Sequence, residues 1–129
     1  MKDFENIVAE EFPKAVPERF RELLSNVVLL VEDEPSVEVR REQGIEEGET
    51  LLGLYTGIPL TERDTQYGMG TMPDTIILYK NPTEEEAEER GGGEEMVRKI
   101  IRETIWHEVA HHFGFDDDQV EEREKKNVY

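Results

Sequence analysis

Cysteine is absent from the 129 residues. Its absence excludes disulfides, thiol catalysis and thiolate-ligated metals, and makes a reducing compartment the simpler setting. Long apolar runs are missing too. The opening stretch Met1 to Phe12 carries charges throughout instead of the apolar centre of a signal peptide, and no later segment is long and apolar enough to span a bilayer. The expectation is a soluble, cytoplasmic protein with no membrane partner. Cations are scarce: 15 Lys plus Arg face 32 Asp plus Glu, for a formal charge of −17. So acidic a surface repels phosphate backbones and anionic headgroups, which argues against nucleic acid and favours a cationic ligand or peptide. Few Asn and Gln beside abundant Glu also fits a thermophile's composition. Histidine is rare as well, and all three copies fall between residues 107 and 112.

What is present suffices for one core. Hydrophobic residues make up 36% of the chain, near the low end for globular proteins even when glycine is added. Two domains in this length would each be marginal, so residues 1–129 are read as a single domain. Phe4, Ile7, Val8, Glu11 and Phe12 recur at helical spacing, with Asp3 as N-cap and Pro13 as the stop. A short helix follows from Pro17, carrying Phe20, Leu23 and Leu24 inward. The β-branched run Val27 to Val31 predicts a strand, and residues 36 to 49 a surface loop. A second strand is expected over Leu51 to Thr56, a mobile loop over 64 to 74, and a third strand over Thr75 to Tyr79. Pro82 places that third strand at a sheet edge, where it could pair with an extended peptide or simply be shielded. Residues 84 to 95 read as a solvated acidic loop. A long amphipathic helix over about 94 to 113 comes next, then a solvated last helix over 118 to 126. The fold class is therefore α+β, a small mixed sheet of three to four strands packed on N-terminal helices and one long late helix.

That late helix carries the chemistry. His107 and His111 are four apart, so their rings project from one face and can share a tetrahedral ion. Glu108 is placed to take a proton from a metal-activated water instead of ligating the ion. By chance alone, His-Glu-x-x-His arises in such a composition on the order of once in a hundred chains, which is suggestive but not decisive. The continuation narrows it. Gly114 follows His111 by three and Asp117 follows Gly114 by three; glycine allows the left-handed turn that brings a later group back toward the ion. Asp116 and Asp118 compete with Asp117 for that place. Two imidazoles and one carboxylate leave a fourth position open, as in a catalytic zinc site, although the same donors also suit manganese, cobalt or iron. His112 points about 100° away from His111 and reads as a packing residue or one supporting the ligands. Trp106, Phe113 and Phe115 read as core anchors. Tyr55, Tyr67, Tyr79 and Tyr129 are all candidates for an oxyanion-stabilising donor, and spacing selects none.

The string His107-Glu108-Val109-Ala110-His111-His112-Phe113-Gly114-Phe115-Asp116-Asp117 resembles the extended zincin signature His-Glu-x-x-His-x-x-Gly-x-x-His/Asp. The whole chain is similar to the short bacterial zincin-like proteins, minimal zincin domains of the zinc metallopeptidase kind. In those, an acidic-apolar N-terminal helix precedes a Leu-Gly-x-Tyr-x-Gly stretch, here Leu52, Gly53, Tyr55 and Gly57. An apolar strand, here Ile76 to Tyr79, and a late metal-binding helix follow. The resemblance implies zinc ligation by His107, His111 and Asp117, Glu108 as catalytic base, and hydrolysis of a peptide substrate. Two other readings stay open at this point: a weakly active or inactive zincin-fold binding module, and a metal-dependent hydrolase of a non-peptide amide or ester.

Overall fold

The structure is a computed structural model that describes residues 3–24, 26–46, 49–57 and 74–114. Its elements in chain order are α1 (Phe4–Ala15), a 3-10 turn (Glu18–Leu24), β1 (Val27–Glu32), α2 (Val37–Glu42), β2 (Gly53–Thr56), β3 (Asp74–Tyr79), α3 (Lys80–Glu89) and α4 (Glu94–His112). The described strands form one mixed sheet in the order β1-β3-β2. β1 runs parallel to β3, with Leu29 opposite Ile76, and β2 runs antiparallel to β3, with Tyr55 opposite Ile76. The fold is thus the small α+β domain that the sequence pattern implies.

Alternation along the strands decides which face is covered. Gly53, Tyr55, Asp74, Ile76 and Leu78 are buried, while Val28 and Leu30 of β1 lie on the open side, 40% and 46% exposed. α4 packs over the covered face against β2 and β3, and α1 packs on α4 and β1. The helix buries Val97, Ile100, Ile101, Thr104, Ile105, Trp106, Val109 and Ala110. Phe4, Ile7, Val8 and Ala15 complete the core from α1. Each fully buried Ile contributes about 1.5–3 kcal/mol relative to an exposed one, so α4 is anchored along its whole length and its last turn is held firmly. Glu11, at an apolar-spaced position of α1, is also fully buried. Arg98 and Arg102 of α4 reach it, the former at 2.8 Å, and Lys14 lies at 3.4 Å.

Four local expectations are corrected. β3 is the central strand of the described sheet, not an edge: it is flanked on both sides, and Pro82 lies in the first turn of the helix that follows, where no intrahelical N–H donor is required. The segment read as an acidic loop begins inside α3, whose Pro82, Thr83 and Ala87 are buried against the body while the glutamates face water. Part of the expected 36–49 loop is α2, started by Ser36, whose hydroxyl accepts from the Val39 N–H at 3.1 Å. Pro13 sits inside α1, which continues to Ala15. The expected mobile loop falls mostly, and the last helix wholly, outside the described residues. No helix among the described residues is long and apolar enough to cross a membrane.

Candidate metal centre

α4 begins at Gly93, with Glu94 and Glu95 in its first turn where the helix dipole favours negative charge. Its last two turns carry His107, Glu108, His111 and His112. The rings of His107 and His111 stand beside one another, centroids 6.1 Å apart and planes 62° apart. Imidazoles in that relation can both reach one ion, for which Zn–N bonds run to about 2.0–2.1 Å. The helix ends at Phe113, and Gly114 takes φ +74°, the left-handed conformation that a side chain resists. Asp116, Asp117 and Asp118 lie outside the described residues. Among the described residues no group of three or more His, Asp or Glu is arranged to hold an ion. The two imidazoles, borderline nitrogen donors of the kind zinc accepts, fit a share of such a site.

Glu108 faces β2. Its Oε1 accepts a hydrogen bond from the Tyr55 backbone N–H at 2.9 Å. Burial pushes its carboxyl above the usual value of 4.5, against the Tyr55 N–H and the charge that His111 and His107 carry when protonated, which pull it down. A carboxylate raised in this way is a better proton acceptor than an exposed one. β2 can approach α4 so closely because of Gly53: a Cβ there would stand 2.6 Å from Thr104 Cγ2 and 2.9 Å from the Ile77 carbonyl oxygen.

His112 stacks on the Tyr55 ring, centroids 3.9 Å apart and planes 21° apart, with its Nε2 4.0 Å from Asp74 Oδ2. The Tyr55 hydroxyl donates to the same Asp74 oxygen at 2.6 Å, and Asp74 is 5% exposed. Sequence reasoning did not reach Asp74 or the Tyr55 main chain. The only signal available was the Leu-Gly-x-Tyr-x-Gly stretch, which marks β2 without saying what it touches. Of the tyrosines with a hydroxyl to offer, Tyr55 spends its own on Asp74, and Tyr79 is fully buried with its hydroxyl pushed up by burial, then by Glu32 and Glu108. Tyr67 and Tyr129 lie outside the described residues. Trp106 is buried and Phe113 half-buried against the core; Phe115 is not among the described residues.

A groove of about 330 Å³ reaches His107, with Leu51, Leu52 and Gly53 contributed by β2 and the residues before it and Glu103, His107 and Glu108 by α4. Arg90 also lines it, bonded to Glu103 at 2.9 Å and Glu86 at 2.7 Å. A larger cavity of about 480 Å³, rimmed by acids including Glu34 and Glu85, contains none of the histidines.

No curated protein matches the chain. A conserved hypothetical protein from Thermo thermophilus, known as a solved structure, superposes with a TM-score of 0.50 at 25% identity, covering 86% of this chain and 91% of that one. The zincin-like metallopeptidase family matches residues 24–127, which include β1 to β3 and α4 with its paired histidines, and the chain belongs to that family.

Proposed function

We propose that this protein is a zinc-dependent metallopeptidase that cleaves short, flexible peptides in the cytoplasm. The observation that carries the reading is a raised carboxyl, Glu108, fixed by a main-chain N–H one residue from His107 and three from His111. His107, His111 and Asp117 would hold the metal. The chemistry such an ion would supply there is polarisation of a carbonyl and a water whose pKa lies near 7. Glu108 accepts the proton that the water loses as it adds to the peptide carbon, and returns it to the amine that leaves. The Tyr55 N–H occupies one carboxylate oxygen, so the other is the one that exchanges the proton. The shallow groove beside β2 suits an extended chain, and the cysteine-free composition fits the cytoplasmic setting.

The test is elemental analysis of protein purified without added metal, followed by hydrolysis of a peptide library. Zinc near one equivalent is expected, chelation should stop cleavage, and added zinc should restore it. Glu108→Gln should keep the metal and lose about 10²–10⁴-fold in rate; cleavage at the parent rate by that variant would remove Glu108 as the base. The net charge of −17 favours a second reading, a binding module for a cationic partner. It predicts complex formation that weakens with salt and survives Glu108→Gln.

A further inference from the structure

We propose that Tyr55 and Asp74 form a brace that positions Glu108, with Asp74 acting as a positioning residue through the tyrosine. Tyr55 touches the C-terminal end of α4 twice, on successive turns. Its N–H holds Glu108 at 2.9 Å, and its ring stacks at 3.9 Å on His112, one helical turn further along the same face. A residue making both contacts fixes the distance between strand and helix only if its own ring cannot swing. Asp74 prevents the swing by accepting the Tyr55 hydroxyl at 2.6 Å from the adjacent central strand. The acid is itself confined. It is 5% exposed, its N–H is bonded to the Asn26 carbonyl at 3.0 Å, and a Cβ on Gly57 would lie 2.6 Å from its Oδ1. A hydroxyl-to-carboxyl bond of this length in a buried setting is directional. Residues 55, 74, 108 and 112 thus form one connected unit running from the centre of the sheet to the proton acceptor.

Orientation is what such a unit supplies. The base must meet its proton within hydrogen-bond reach, and partners behind a reacting group commonly account for ten- to hundredfold in activity when removed. The catalytic consequence rests on the reading of Glu108 as base, whereas the mechanical claim does not.

The experiment therefore has two readouts on Tyr55→Phe, Asp74→Ala and Asp74→Asn. The first is amide hydrogen exchange in the metal-free protein. Loss of the brace in Tyr55→Phe and Asp74→Ala should speed exchange at the residue-55 amide about tenfold or more while the Ile76 and Leu78 amides keep their parent rates. Asp74→Asn, which still offers the tyrosine an acceptor, should restore most of the protection. The second is kinetics with zinc loaded: Tyr55→Phe and Asp74→Ala should lower kcat about tenfold to a hundredfold with KM and zinc affinity little changed, and Asp74→Asn should recover most of that loss. Parent protection at residue 55 in Tyr55→Phe overturns the brace, as does equal acceleration of all β2 and β3 amides, which would mark Asp74 as merely structural. A parent enzyme with no hydrolysis defeats the peptidase reading and leaves the exchange result to judge the brace by itself.

Discussion

Two carboxylates are withdrawn from water along α4, Glu11 against its first half and Glu108 on its second, and their surroundings push in opposite directions. Burial drives the Glu11 carboxyl up, but hydrogen bonds from Arg102 and Arg98, with the charges of Arg102 and Lys14, outweigh it and leave the acid below 4.5. Glu108 is also raised by burial, but among the described residues it has one main-chain N–H and no arginine beside it, and it stays above 4.5. The first acid ties α1 to α4 and holds its charge to lower pH than a free carboxyl. The second takes up its proton more readily than a free one. One end of the helix thus holds its acid for cohesion and the other holds the acid proposed above as the base, and the difference lies in whether guanidinium groups stand beside the acid.

The sharpest way to break this contrast is Glu11→Gln, which takes the shared acid from Arg102 and from Arg98, the latter still paired with Glu10 and Glu94. It should cost about 1.5–3 kcal/mol, read as a lower urea midpoint with unchanged slope, and parent stability would remove Glu11 as the tie. Gly53→Ala attacks the other end. The added methyl meets Thr104 and the Ile77 carbonyl, so β2 must retreat from α4 at about 1–3 kcal/mol, and peptide cleavage should fall further than stability because the Tyr55 N–H retreats from Glu108. Acid titration separates the two groups by sign. The stabilisation from Glu11 is fully present above about pH 4.5 and is lost as pH falls through its lower folded value, so parent and Glu11→Gln stabilities should converge in that window. The smallest effect has the opposite direction. Glu108→Gln should stabilise the metal-free protein by about 0.5–1 kcal/mol at pH 8, and the gain should shrink as pH falls through the raised folded value toward 4.5 and the parent carboxyl takes up its proton. A destabilised Glu108→Gln would mean that this acid, too, is held as an ion.

The long helix and its paired histidines were legible because two periodic signals coincide there, the apolar spacing of Val97, Ile100, Ile101 and Ile105 and the four-residue step from His107 to His111. β1 and β2 showed through their β-branched and aromatic runs. α3 did not: Glu84 to Glu89 carry one small apolar residue, Ala87, and the helix is fixed by burial of Pro82, Thr83 and Ala87 together with the Arg90–Glu86 pair. Composition registers the glutamates and not the single face that packs. β3 reads as an edge strand from sequence because a proline three residues beyond a strand marks an edge equally well as the first turn of a helix, and only the pairing with both neighbours separates the two. The brace was illegible for a different reason. Residues 55, 74, 108 and 112 share no local pattern, and their meeting depends on sheet order and on the clearance at Gly53.

The hydrogen bond that aims Glu108 comes from an amide nitrogen of the strand itself, a group that every amino acid except proline possesses. Drift at position 55 can therefore change the aromatic ring without deleting the donor. An alanine survey would weigh that site by its ring alone and overlook what the peptide unit contributes. Replacement of that single N–H by an ester oxygen, which keeps every side chain, is the substitution that would reveal it.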